Sequence, residues 1–563
     1  MPSQTEMILS QKYADFILPY SPNFLQEFQE EGGQLFDRYY GMIHLPLGIA
    51  NLEEYLEELR YASIPKLFTL LDTVSLEASG ILQVQTQPAL QLTGKDVIIG
   101  CIDTGIDYTH PAFRTAAGKS RILTIWDQTI QDGPAPAGQY IGTEYTKEQI
   151  QAALDSDDPL NIVPSVDENG HGTFLAGVAA GSPNPTQDFT GVAPDADIIM
   201  VKLKEAKNYL KDFFYANGEV PVYQETDIML AVRYLRECAI RFSRALIICI
   251  GLGTNQGSHS GQFPLGNMLN AFDQFPAIHI VSAAGNEAGK AHHYYGNSEF
   301  SSMPDTVEIL VPENTRGFTA ELWGTAPDIY SVGFEAPSGE AVPRIPSRLQ
   351  YQQNIDFILE KTKIFISSES VYTLSNFQLI FMRFTDPSPG IWKISVYDGG
   401  TGIHNYHLWL PITGMTDPDI TFLRPNPDTT LTDPANVGNI LTTSTYNAYN
   451  NSLFLNSSRG YTTLGSINPD FASPGVDVFG PVPGNRYGRK TGASVAAAIA
   501  SGAAALLTQW GLSRTPPRTF TTSELKTLII RGAERASDKL YPNREWGYGT
   551  LDIYQIFTSF FTK

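Results

Sequence analysis

The stretch KDVIIGCIDTG, Lys95 to Gly105, decides the fold. Lys95 to Ile102 is a nearly continuous apolar run, the pattern of a strand buried on both faces of a parallel sheet. Similar runs recur at Ile198 to Leu203 (IIMVKL), Ala245 to Ile250 (ALIICI) and Ile278 to Ala283 (IHIVSA). Helical stretches lie between them, notably Gly170 to Ala180 and Ile228 to Phe242. This alternation predicts a doubly wound α/β sheet. Asp103 then falls at the C-terminal end of a buried strand, where open α/β sheets place their sites.

Further along, the alternation stops. Between about Glu299 and Asp433 the chain carries short runs rich in aromatic and β-branched residues, such as Thr306 to Val311, Gly317 to Trp323, Phe377 to Phe384 and Trp392 to Tyr397. Pro and Gly punctuate them. The pattern predicts an inserted antiparallel sandwich or jelly roll. The α/β character returns near Gly438 and ends in a small-residue helix from about Ser494 to Gln509. Towards the N-terminus, Tyr13 to Pro19, Phe36 to Leu47 and Ile64 to Leu71 read as strands. Asn23 to Glu30 and Asn51 to Leu59 read as helices, with Asn51 as cap. A linker is expected near Asp72 to Gly80. The expected units are therefore 1–75 (α+β), 76–298 and 434–563 (together the α/β domain), and 299–433 (the β insertion).

A chain of 563 residues has room for such a division, since single cores stop growing near roughly 250–300 residues. Its 38 Lys and Arg against 59 Asp and Glu leave a net charge of −21. That surface should repel nucleic acid and anionic lipid, so neither is an expected partner. The three cysteines, Cys101, Cys238 and Cys249, are an odd set that argues against a disulfide framework; Cys101 and Cys249 read as small buried hydrophobes in strands. No basic region followed by an apolar stretch opens the chain, so no signal peptide is expected. No window is expected to reach the ~20 apolar residues of a membrane span. The product is expected to be cytoplasmic as synthesised.

Three segments carry chemistry. Ile99 to Asp107 (IGCIDTGID) presents the Asp103 carboxylate, although an Asp before a Gly often only makes a turn. Asn169 to Gly177 (NGHGTFLAG) flanks His171 with glycines, which permits close backbone approach at a helix start. Thr491 to Ala498 (TGASVAAA) sets Ser494 at the mouth of a small-residue helix, near its positive end and unpaired N–H groups. Alone, that serine reads equally as an N-cap. Together the three, in the order Asp, His, Ser, follow the subtilisin order rather than that of chymotrypsin or the α/β-hydrolases. No G-x-S-x-G elbow surrounds Ser494.

At this point the chain resembles the subtilases, the subtilisin-like serine peptidases. Ser282 to Asn286 (SAAGN) is similar to the family segment that supplies an oxyanion-hole asparagine. Gly191 to Pro194 (GVAP), Ser457 to Gly460 (SSRG) and Pro469 to Val476 (PDFASPGV) match further family segments. The likeness covers about 95–300 and 435–555. It implies a triad of Asp103, His171 and Ser494, an oxyanion hole of Asn286 with the Ser494 N–H, and no required cofactor. Gly251, Leu252 and Gly253, with Ala283, Ala284 and Gly285, would line the P1 pocket for a protein or peptide substrate. Within the subtilases the chain is similar to the Csp germination proteases of spore-forming clostridia. Ser75 to Ile81 (SLEASGI), Gly253 to His259 (GTNQGSH) and Asn543 to Gly549 (NREWGYG) carry that likeness, along with the β insertion. It implies a self-cleaved prodomain ending near Leu70 to Gly80, acting as chaperone and inhibitor, a spore-associated setting, and a cortex-lytic zymogen as substrate.

The chain also departs from the family. Phe174 replaces a second histidine, Ala493 a threonine before the nucleophile, and Ala498 a proline after it. Because pseudoprotease relatives exist, the alternative is a catalytically weak scaffold in signalling. Asp155 to Asp158 (DSDD) could ligate Ca2+, as in some subtilases, although a solvated acidic loop is the plainer reading. His292–His293 invites zinc but lacks a third ligand in sequence reach, so it is expected at the surface.

Overall fold

Val97–Asp103, the strand that ends in the first carboxylate, lies inside a nine-stranded sheet. The computed structural model describes residues 3–19, 32–47, 52–70, 79, 81–86, 90–218, 220–297, 303–370, 376–399 and 404–561. Among them, the main path of that sheet runs Leu441–Asn447, Ile278–Ala283, Ala245–Ile250, Val97–Asp103, Asp197–Lys202, Ile122–Asp127. These strands are parallel, and Phe471–Pro474 adds a seventh beside Leu441–Asn447. Thr143–Thr146 and Ser452–Leu453 add antiparallel edges.

The central strands are wholly buried because helices cover both faces. Strand alternation divides the core in two. Ile98, Ile102, Leu246, Ile248 and Ile250 meet the helix Glu225–Phe242 on one side. Ile99, Cys101, Ile247 and Cys249 meet the helices His171–Ala180 and Ala493–Leu512 on the other. All three cysteines are buried and free. From Val97–Asp103 the chain winds outward through Ile122–Asp127 and Asp197–Lys202, then returns to Ala245–Ile250 and winds the other way. The topological switch therefore falls between Val97–Asp103 and Ala245–Ile250, and Asp103 stands at the C-terminal end beside it, where open α/β sheets hold their sites.

Ala493–Leu512 corrects one expectation. Its 20 residues, with a hydropathy of 1.4, are long and apolar enough to cross a membrane. Instead, 83% of the apolar window is buried inside the protein, against His171–Ala180 and the sheet. Alanines keep it thin enough to pack there.

The inserted segment forms two antiparallel sheets. The six-stranded one runs His293–Asn297, Asn405–Trp409, Gly317–Thr325, Phe377–Thr385, Lys363–Glu369, Gln350–Asp356. The five-stranded one runs Ala341–Ile345, Tyr330–Glu335, Gly390–Asp398, Asp305–Val311, Thr421–Phe422. Residues of both, including Phe318, Phe384, Trp392 and Ile394, share one apolar core.

At the N-terminus, Tyr13–Pro19 pairs antiparallel with Tyr40–Pro46, and Leu52–Leu59 is helical. A helix at Gln4–Leu9, capped by Ser3, had no expectation in the sequence. The helix expected at Asn23 to Glu30, the cap Asn51, and the linker at Asp72 to Gly80 apart from Ser79 fall outside the described residues.

Candidate active site

Asp103, His171 and Ser494 lie 68 and 323 residues apart in pairs along the chain, yet their side chains meet. His171 Nδ1 is 2.7 Å from Asp103 Oδ1, and His171 Nε2 is 3.1 Å from Ser494 Oγ. The first hydrogen bond fixes which ring nitrogen faces the serine. All three residues are buried.

Each is placed by a different element. Asp103 ends its strand, and its Oδ1 also accepts the Thr104 N–H at 2.8 Å. His171 opens the helix His171–Ala180, and Gly172 lets that helix close on the strand: a Cβ there would lie 2.2 Å from Gly105 O and 3.0 Å from Asp103 Cβ. Ser494 sits in the first turn of Ala493–Leu512, where backbone N–H groups have no intrahelical acceptor. Gly251, just past the strand Ala245–Ile250, lies against both Ser494 and His171. A Cβ on it would come 3.0 Å from Ser494 Cβ and 3.3 Å from His171 Cε1.

Asp167 holds the histidine helix, and sequence reading did not single it out. Gly170, the N-cap, has no side chain to offer. Asp167 does the capping from outside: Oδ1 accepts the Gly170 N–H at 2.8 Å and the Thr104 hydroxyl at 2.7 Å. Oδ2 accepts the Thr173 N–H at 2.8 Å and its hydroxyl at 2.6 Å. Thr104 in turn accepts the Gly172 N–H at 3.0 Å. A buried anion at a helix N-terminus is favourable, and this one ties the aspartate strand to the histidine helix. The available signal was an acidic residue four positions before the histidine.

Asn286 follows the strand Ile278–Ala283. Its Oδ1 accepts the Ala493 N–H at 3.1 Å, which fixes the amide oxygen and leaves Nδ2 as the donor. The turn carrying it is pinned: Ser458 N–H donates to Gly285 O, and Glu287 N–H to Ser458 Oγ, both at 2.9 Å. Ala284 N–H donates to Thr443 O, and Ala284 O accepts the Thr432 N–H.

Leu252–Gly253 pairs antiparallel with Leu67–Leu70 from the N-terminal unit, and Leu67–Leu70 pairs on its other edge with Tyr223–Gln224. Lys66, Leu67, Phe68 and Thr69 are buried.

His292 and His293 are buried, against expectation. His292 Nδ1 meets Glu287 at 2.6 Å, and His293 stacks on His407 and Trp409. The inserted sheet covers them, which two adjacent histidines could not reveal. Asp155 and Asp158 are exposed and already engaged, by Lys119 and Gln151 and by Asn161 respectively. Among the described residues, the acidic groups that converge on one point lie elsewhere.

Comparison with known proteins identifies the family. A sequence model of the subtilase family matches residues 94–321 and 418–549. The chain belongs to the subtilase family. The matched blocks contain Asp103, His171, Asn286 and Ser494, and the gap between them falls in the inserted sheets. The solved structure of the Clostridium perfringens CspB protease superposes with a TM-score of 0.77 at 29% identity, over 86% of this chain and 98% of that one. The PII-type proteinase of Lacticaseibacillus paracasei is 22% identical over 82% of this chain and 26% of its own length. The C5a peptidase of Streptococcus pyogenes serotype M1 is 22% identical over 83% of this chain and 38% of its own. The chain thus spans well under half of these curated relatives.

Proposed function

We propose that this subtilase is a self-processing endopeptidase whose residues 1 to about 75 act as chaperone and inhibitor until cut. The observation that carries this reading is the strand Leu67–Leu70, held between Leu252–Gly253 and Tyr223–Gln224 beside the triad. An extended peptide bound by backbone pairing on both edges is what a protease cleft must hold. The cut would fall just past that strand.

In the proposed reaction, Ser494 Oγ attacks the scissile carbonyl while His171 Nε2 takes its proton. The tetrahedral oxyanion is met by Asn286 Nδ2 and the Ser494 N–H. His171 then protonates the leaving amine, and the acyl-enzyme is released by water activated at the same nitrogen. Asp103 holds the ring tautomer and stabilises the imidazolium. The likeness to germination proteases makes the zymogen of a cortex-lytic enzyme the first substrate to test, with the inserted sheets as a jelly-roll domain.

Intact mass spectrometry of the wild type beside Ser494→Ala tests the proposal. A wild type lighter by roughly 70–80 residues beside an uncut variant is expected. Processing of purified Ser494→Ala would exclude cleavage by this triad. A scaffold with weak turnover is the second reading, favoured by Ala493 and Ala498; labelling of Ser494 by a fluorophosphonate, with peptide turnover, counts against it.

A further inference from the structure

One end of the inserted sheets gathers three potential ligands that play no part in peptide hydrolysis. Asp328 precedes the strand Tyr330–Glu335, and Asp398 ends the strand Gly390–Asp398. These strands are neighbours, with Tyr330 paired directly to Asp398. His404 precedes Asn405–Trp409 in the other sheet. One ligand atom from each residue lies within 4.8 Å of the other two.

Asp328 supplies the independent observation. It is 2% exposed. Its Oδ2 accepts the His404 N–H at 2.7 Å and faces the Tyr330 hydroxyl at 3.5 Å. Its Oδ1 is buried and has no hydrogen-bond partner among the described residues. A carboxylate oxygen withdrawn from water without a donor is costly, and a cation beside it removes the cost. His404 Nδ1 and Asp398 Oδ2 are already in contact.

We propose that Asp328, Asp398 and His404 hold a divalent transition-metal ion, zinc by preference, that ties the two inserted sheets together. Two carboxylates with one imidazole suit Zn2+, Mn2+ or Co2+ better than Ca2+, whose sites are built from oxygen alone. Three protein ligands leave a position for water. The ion's role is structural, since its ligands come from both sheets and none belongs to the triad.

The test is isothermal titration of zinc chloride into full-length Ser494→Ala stripped with chelator, which avoids self-cleavage. One saturable equivalent is expected, with affinity reduced by about tenfold or more in Asp328→Asn and again in His404→Gln. Titration with cobalt, read by its visible spectrum, should report the same stoichiometry. Far-UV circular dichroism monitors folding of the variants. Absence of a saturable equivalent in the parent protein overturns the proposal, whatever the variants do. So does full affinity in either folded variant, because the ion would then be held elsewhere.

Discussion

A Cβ at position 251 would stand 2.6 Å from Leu175 Cδ1 as well as 3.0 Å from Ser494 Cβ. The leucine methyl can swing aside, but the serine Cβ is backbone-anchored, so Gly251→Ala is expected to shift Ser494 by a few tenths of an ångström from its place beside His171. A misplacement of 1 Å costs on the order of 10²-fold in rate. A shift of a few tenths of that is therefore expected to lower kcat severalfold in Gly251→Ala while thermal unfolding barely changes. Steady-state kinetics on a chromogenic peptide, beside a melting curve, checks both. Unchanged kcat would mean that the serine has room to retreat. Asp167 makes the complementary point. Its four accepted hydrogen bonds position the histidine helix, yet nothing local distinguishes it from the exposed Glu168 beside it. Local sequence names the reacting groups more readily than their supports.

Among the elements, Leu67–Leu70 matters most. Phe68 is fully buried in the cluster that also holds Tyr223 and Leu252. Truncating a buried phenylalanine typically costs about 3–5 kcal/mol. In the Ser494→Ala background, Phe68→Ala is expected to weaken the N-terminal unit by that order, read as a lower urea midpoint. An unshifted midpoint would show that the strand contributes little to holding the unit. A second anchor is ionic. Asp15 is fully buried, with Lys207 Nζ at 2.7 Å, His44 Nδ1 at 2.6 Å and Gln224 Nε2 at 2.8 Å. Burial pushes its pKa up, but Lys207 and His44 outweigh that and bring it down to about 2. The sequence showed a strand at Ile64 to Leu71, but an isolated apolar run says nothing about its partners.

For the molecule as a whole, buried histidines set the acid limit. Burial lowers His259 and His279 to about 4 and His407 to about 3. Unfolded, each takes a proton near pH 6.5. Between about pH 6.5 and 4 these three imidazoles therefore bind more protons unfolded than folded, and their contribution to stability falls as pH drops through that window. Asp433, which burial raises to about 7, opposes them in part, because it takes its proton first in the folded chain. Asp15 adds to the loss at still lower pH, as its carboxylate is protonated. Urea unfolding of Ser494→Ala at pH 7, 6, 5 and 4 should show a midpoint decreasing with each step. A flat profile would mean that these imidazoles carry their charge inside the fold or that buried carboxylates such as Asp433 offset them. His259, His407 and Trp409 stack where the inserted sheets meet the α/β domain, so acid should loosen that junction.

From local sequence alone came the strands of the central sheet, the segments holding Asp103, His171 and Ser494, the turn of Asn286 and the β character of the insertion. Each is written in a short run, as an apolar stretch or a motif around one reactive side chain. Tertiary structure alone decided what covers and supports them. Chain pairing laid Leu67–Leu70 between Leu252–Gly253 and Tyr223–Gln224, and the inserted sheet buried His292 and His293. The fold turned the small-residue helix Ala493–Leu512 into core, although its composition would equally suit a membrane. It also brought Asp328, Asp398 and His404 together, from three strand ends, at a point no linear spacing marks. Contacts between distant segments depend on how sheets stack and wind, and that is a property of the whole chain rather than of any stretch of it.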